Sequence, residues 1–151
     1  MHKHELIPKL ERMAMFEDFK REETTLLAGY LVGQRVDQGA VIFREGERTA
    51  HMCLLLEGRL EVLKGGQGGQ LKKITDVTPG KLIGEISVID GQPYSATVVA
   101  SAPSVLVLMS RENLIRICEE RPRIGNRLLF KIAIMLSQRL RQTTGKLIDH
   151  L

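Results

Sequence analysis

The sequence predicts a mainly β domain, a sandwich or barrel with helices at both ends. Three observations carry this reading. Between residues 33 and 110, short apolar runs alternate with glycines, at the spacing of roughly 8–12 residues that strands and turns require. The segments 3–32 and 110–151 instead repeat their apolar residues at helical intervals. The length of 151 residues suits one domain with a full core.

Taken in order, Leu6, Leu10, Met13 and Phe16 recur at helical spacing, and Leu26, Leu27 and Leu31 resume it after the charged DFKREE. His2 and His4 in MHKHE are a weak metal-ligating pair on a terminus expected to be unstructured. The strand candidates follow: VIF (41–43), MCLLL (52–56), LEVL (60–63), LKKITDV (71–77), KLI (81–83), ATVVA (96–100) and VLVLM (105–109). Gly39, Gly46, Gly58, Gly80, Gly84 and Gly91 stand between or beside them. GGQGG (65–69) reads as a hairpin tip; a phosphate-cradling loop would need a following Lys-Ser/Thr pair and a helix start. Ser110 is placed to cap a short helix, RENLIRICEE, which Arg121-Pro122 breaks, and Pro122 suits the first turn of a second, long helix. Along that helix Leu129, Ile132, Leu136, Leu140, Thr143, Leu147 and Leu151 step by three and four, a heptad-like seam widened by Leu128, Met135 and Ile148. Gly145 weakens it late by ~1 kcal/mol relative to alanine. The first turns are expected to pack on the β domain and the remainder against a second copy.

Composition narrows the function. Apolar residues make up 43% and charged residues 26%, and no apolar run nears the ~20 residues of a membrane span. The N-terminus has no apolar signal core, so a cytoplasmic protein is expected. Cys53 and Cys118 lie in apolar segments and read as buried thiols. The net charge of +4 permits an anionic partner, while 4% aromatics without tryptophan leave few stacking platforms for nucleic acid. There is no HExxH, no CxxC and no serine nucleophile elbow. His51 and His150 are isolated, and Glu119-Glu120 falls at a helix end. The reading is a protein that binds and responds without catalysing, with no metal site and no required cofactor.

Chemistry concentrates in GEISVIDGQPYSAT (84–97). A glycine before an acid, just after a strand, lets the backbone approach a ligand closely. A short helical turn over 86–89 would aim N–H groups into a cavity, Ser95 would add a hydroxyl, and Glu85 would accept from sugar hydroxyls. These are the parts of a nucleotide pocket. The same residues also fit a plain turn between strands, with Glu85 capping amides.

This stretch resembles the phosphate-binding cassette of cyclic nucleotide-binding domains, the family of the bacterial cyclic AMP receptor protein and the protein kinase A regulatory subunits. TPGKLIGEISVIDGQPYSATVVA is similar to the family's Gly-Glu run followed by Gly-x-Pro-Arg-Ala/Ser-Ala-Thr. GAVIFREGERTAHMCLLLEGRLEVLK is similar to its glycine-spaced strands, and MLSQRLRQTTGKLIDHL to the long dimerising helix of the receptor protein. The resemblance implies a double-stranded β-helix (jelly-roll) barrel over 33–110, N-terminal helices over 1–32 and C-terminal helices over 110–151, all in one domain. It implies that Gly84, Glu85 and Ile86, with Ser87 beside them, line the ribose and phosphate. It further implies that Glu85 takes the ribose 2′-hydroxyl, that Ser95 and Ala96 contact phosphate, and that Thr143 and Thr144 contact the purine, one of them across a dimer. Tyr94 departs from the pattern, because the family places there an arginine that pairs with the cyclic phosphate. A phenol offers one neutral donor where a guanidinium offers a charged fork, a loss of roughly one to two orders of magnitude or more in affinity. Arg44, Arg48 and Lys81 would compensate only if the fold brings them in.

The resemblance therefore implies a regulatory domain in signal transduction, a homodimer through its C-terminal helix, binding a small anionic ligand such as cAMP or cGMP. Two alternatives remain. One is a degenerate pocket, filled by Tyr94, in a dimerisation or partner-docking module. The other is the sensor part of a transcription regulator; in such relatives a winged helix-turn-helix follows the long helix, and this chain ends at Leu151, so DNA binding is not expected from it alone.

Overall fold

The computed structural model describes residues 1–48 and 50–151. Helices α1 (Lys3–Glu11) and α2 (Arg21–Ala28), with a 3-10 turn at Ala14–Phe16 between them, precede the strands. Eight strands follow: β1 (Val32–Val36), β2 (Val41–Phe43), β3 (His51–Glu57), β4 (Leu60–Gly65), β5 (Leu71–Val77), β6 (Leu82–Ile83), β7 (Thr97–Ala100) and β8 (Ser104–Ser110). Helix α3 (Glu85–Asp90) interrupts them between β6 and β7, and α4 (Arg111–Glu120) and α5 (Pro122–Asp149) close the chain. The strands form two antiparallel four-stranded sheets, ordered β1-β8-β3-β6 and β2-β7-β4-β5.

The central strands of the first sheet, β3 and β8, are buried on both faces, which explains why they read as unbroken apolar runs rather than as alternation. Cys53 and Leu55 of β3 and Leu106 of β8 point between the sheets, where they meet Phe43, Leu60, Val77 and Tyr94. Their neighbours Met52, Leu54, Leu56, Val105, Val107 and Met109 point outward, to a second core built with the helices. Leu6 and Leu10 of α1, Leu27 of α2, Ile117 of α4 and Ile124, Leu128 and Ile132 of α5 fill that outer core.

Every strand run read from the sequence is a strand, but β1 was not among them. VGQRV carries only two apolar residues and sits at a sheet edge, so it alternates too weakly to stand out. Its register, Val32 opposite Leu108 through Val36 opposite Ser104, is set by β8. Helix α1 starts at Lys3, as the helical spacing over 3–32 predicts, so His4, expected on an unstructured terminus, lies inside a helix with its ring stacked on His2. GGQGG is the β4–β5 hairpin tip. Ser110 Oγ accepts from the Asn113 amide at 3.1 Å, and Pro122 opens α5. Cys53 is buried and Cys118 half-buried, both as free thiols.

Helix α5 divides into two parts. Up to Leu136 it is anchored in the outer core, and Arg127 ties it to Glu23 of α2 at 2.8 Å. Beyond that, Leu140, Leu147 and Ile148 are exposed. No helix among the described residues is long and apolar enough to cross a membrane.

Candidate functional site

The segment after β6 builds a cleft of about 460 Å³ between α3, the inner face of the second sheet and α5, within the 300–1,000 Å³ typical of small-ligand sites. Gly84 makes the turn into it. Its φ of +78° and a Cβ position only 2.6 Å from the His51 carbonyl oxygen and 2.8 Å from the Phe43 ring leave room for glycine alone. The chain then enters α3, so Glu85 sits at the first helical position with 3% of its surface exposed. Arg111 fixes the other end of α3, its Nη1 donating to the Val88 and Ile89 carbonyls at 3.2 and 3.3 Å. Ser87, also buried, donates to the Pro93 carbonyl at 3.4 Å.

Tyr94 is held on every side. Its backbone N–H donates to the Glu47 carbonyl at 3.0 Å, and its own carbonyl accepts from Gly46 at 2.9 Å. The ring stacks on Phe43 with centroids 4.3 Å apart and planes at 16°. The hydroxyl accepts from the His51 amide at 2.7 Å and donates to the His51 carbonyl at 3.0 Å. Burial pushes the phenol above its ordinary pKa, against a smaller lowering by the His51 backbone. The ring lines the cleft, but its one donor is committed to the β3 backbone.

The opposite wall comes from α5. Arg139 reaches across, donating from Nη1 to the Glu85 carboxylate and from Nη2 to the Leu82 carbonyl. Gln142, almost one turn on, lines the same wall. Neither residue was singled out from the sequence. Arg139 lies 54 positions from Glu85 and reads locally as one more cation on a basic helix; only its return to the same helical face as Ile132, two turns later, hints at an inward role.

The predicted site residues divide accordingly. Gly84, Glu85, Ile86, Ser87, Tyr94, Ser95 and Ala96 all line the cleft. Thr143 and Thr144 are exposed on α5, outside the cleft lining of their own chain. Of the three cations that the fold was required to bring in, Lys81 lines the cleft, whereas Arg44 and Arg48 do not, and Arg44 lies 3.7 Å from Glu47. Lys64 approaches the cassette from β4, donating to the Ser95 carbonyl while paired with Glu45 at 2.9 Å. Asp76, also in the lining, is held by Arg59 at 2.7 Å and Lys73 at 2.8 Å. Their hydrogen bonds bring its pKa down to about 2.

Comparison with known proteins agrees with this architecture. The chain is 28% identical over 128 residues to the cyclic AMP receptor protein of Thermus thermophilus, covering 85% of this chain and 57% of that protein. It is 25% identical over 140 residues to a CRP-like cAMP-activated global transcriptional regulator of Mycobacterium tuberculosis, covering 93% of this chain and 61% of that one. The chain thus spans about three fifths of the length of these curated relatives. Among solved structures, a cyclic nucleotide-binding domain from Methylobacillus flagellatus superposes with a TM-score of 0.83 at 28% identity, covering 99% of this chain and 84% of that one. The family model described as cyclic nucleotide-binding domain matches residues 33–121, from β1 to the end of α4. On the jelly-roll sheets, the cassette at 84–97 and this match, the chain belongs to the cyclic nucleotide-binding domain family.

Proposed function

We propose that this chain is a non-catalytic sensor module that binds a cyclic nucleotide or a closely related anion in the cleft and reports occupancy through α5. The observation that carries the reading is the reach of Arg139 from α5 to Glu85 and the Leu82 carbonyl. A ribose 2′-hydroxyl arriving at Glu85 competes for the carboxylate that holds Arg139, and a ligand phosphate attracts the guanidinium directly. Either event changes the contact between α5 and the cassette. A ligand that favours one placement of Arg139 thereby shifts the placement of the helix.

The reported signal passes to a second copy. Distal α5 exposes Leu140 (67%) and Leu147 (64%) along one apolar stripe, in the spacing of a two-stranded coiled coil. Thr143 and Thr144, exposed on the same helix, are assigned in such a dimer to the purine of a bound nucleotide, one of them across the dimer. Leu140→Asp with Leu147→Asp is expected to give a monomer by analytical ultracentrifugation.

Isothermal titration and thermal shift with cAMP and cGMP test the binding claim. Measurable heat with at least one nucleotide, lost in Glu85→Ala, is expected. Silence in both assays at millimolar nucleotide refutes it and favours a second reading, a dimerisation module whose pocket has lost its ligand. The geometry of Tyr94 supports that second reading, since its hydroxyl is spent on His51 and leaves the cassette with no cation of its own at that position.

A further inference from the structure

We infer that Lys81 is the anion anchor of the cleft, replacing the cation that the cassette lacks at Tyr94; the inference rests on the cleft being a ligand site. Four charged residues line the cavity: Asp76, Lys81, Glu85 and Arg139. Asp76 is neutralised by Arg59 and Lys73, and Glu85 is neutralised by Arg139. Of these four, Lys81 alone has no ion pair among the described residues, so the cleft carries one uncompensated positive charge.

The backbone of Lys81 is fixed, while its ammonium has no hydrogen-bond or ion-pair partner among the described residues. Its N–H donates to the Thr78 carbonyl at 3.2 Å, and its carbonyl accepts from the Leu55 amide at 3.1 Å. This anchors the residue to β3 at the rim, directly before Leu82, whose carbonyl holds Arg139. An anion seated on Lys81 lies beside the guanidinium and adds a second attraction to it, so the same contact that binds ligand also draws on α5.

The chemistry of the anchor sets the ligand class. An ammonium is a compact point charge with rotatable donors and imposes none of the planar fork geometry of a guanidinium. The site therefore accepts a phosphomonoester as readily as a cyclic phosphodiester, provided a sugar hydroxyl reaches Glu85. The predicted ligands are nucleotides with a 2′-hydroxyl and a single accessible phosphate.

The test is titration of the full chain with cAMP and with 5′-AMP, at low and physiological salt, on wild type, Lys81→Met, Lys81→Arg and, as a charge control outside the cleft, Arg44→Met. Losing one charge-assisted contact is expected to weaken both nucleotides by roughly tenfold to a hundredfold in Lys81→Met. Lys81→Arg and Arg44→Met should stay within about threefold of wild type, and the wild-type affinity should fall with added salt. Lys81 is exposed, so each variant folds, and an unchanged melting temperature verifies this. Binding by wild type that Lys81→Met leaves intact overturns the anchor but keeps the sensor reading. Binding of cAMP more than about a hundredfold tighter than 5′-AMP also overturns the anchor. Binding of neither nucleotide by wild type overturns both.

Discussion

Replacing Arg139 with methionine tests whether α5 is tethered through the cleft. The change removes the donors to Glu85 and Leu82 while keeping a long apolar stem. Breaking a fully buried pair costs about 3–5 kcal/mol, because a charge is left without its partner, whereas an exposed pair contributes only about 0.2–1 kcal/mol. Here the carboxylate is buried, with 3% of its side chain exposed, and the guanidinium is 41% exposed. Water therefore meets half of the pair, and the expected cost lies between, at about 1–3 kcal/mol. For a chain of this length that corresponds to a melting temperature lower by roughly 2–12 °C. Urea denaturation of Arg139→Met, Glu85→Gln and the double variant completes a cycle. The double variant should be more stable than the sum of the single losses predicts, by about 1–2 kcal/mol, because glutamine leaves no buried charge to strand. Hydrogen exchange supplies an independent readout, as the amides of α5 beyond Leu136 lose their one polar tether among the described residues and should exchange faster. Strictly additive losses, within about 0.5 kcal/mol, together with unchanged exchange would refute the tether.

Three further outcomes follow from the geometry. Tyr94→Phe keeps the stack on Phe43 but strands the His51 amide, so a loss of about 1–3 kcal/mol is expected in urea; a neutral effect would mean that water replaces the hydroxyl. Asp76 has its pKa lowered to about 2 in the folded state, so its contribution to stability is complete above its unfolded value near 4 and disappears as pH falls toward 2. A pH series of melting temperatures should show that acid limb flattened in Asp76→Asn, and an identical limb in both proteins would count against the Arg59 and Lys73 contacts. Burial pushes the Cys53 thiol up to about 12, so iodoacetamide should label it only in denaturant, and labelling of the native protein on the timescale of a free thiol would contradict its place in the barrel.

Much of this molecule is legible without coordinates. Apolar runs, glycine punctuation and helical periodicity are local properties of the chain, and they returned seven of the eight strands and both C-terminal helices with their cap and break. The cassette is legible because its residues are contiguous: the turn at Gly84 has a positive φ, and Glu85 follows it as the first residue of α3. The same locality explains the two differences. β1 pairs by backbone alone at an edge, so its side chains carry little pattern. His4 is helical because it lies in the first turn of a helix whose Leu6 and Leu10 dock on the core, although the polar MHKHE by itself shows no apolar pattern.

The sequence by itself determined the fold, the place of the pocket and the absence of arginine at Tyr94, since each is written in neighbouring residues. Tertiary structure alone decided what that absence means. It turned the Tyr94 hydroxyl onto the His51 backbone, carried Arg139 across to Glu85, and left Lys81 as the one charge of the cleft lining without an ion pair among the described residues. Charge pairing depends on distances of a few ångströms between residues far apart in the chain, and only the folded barrel brings those residues together.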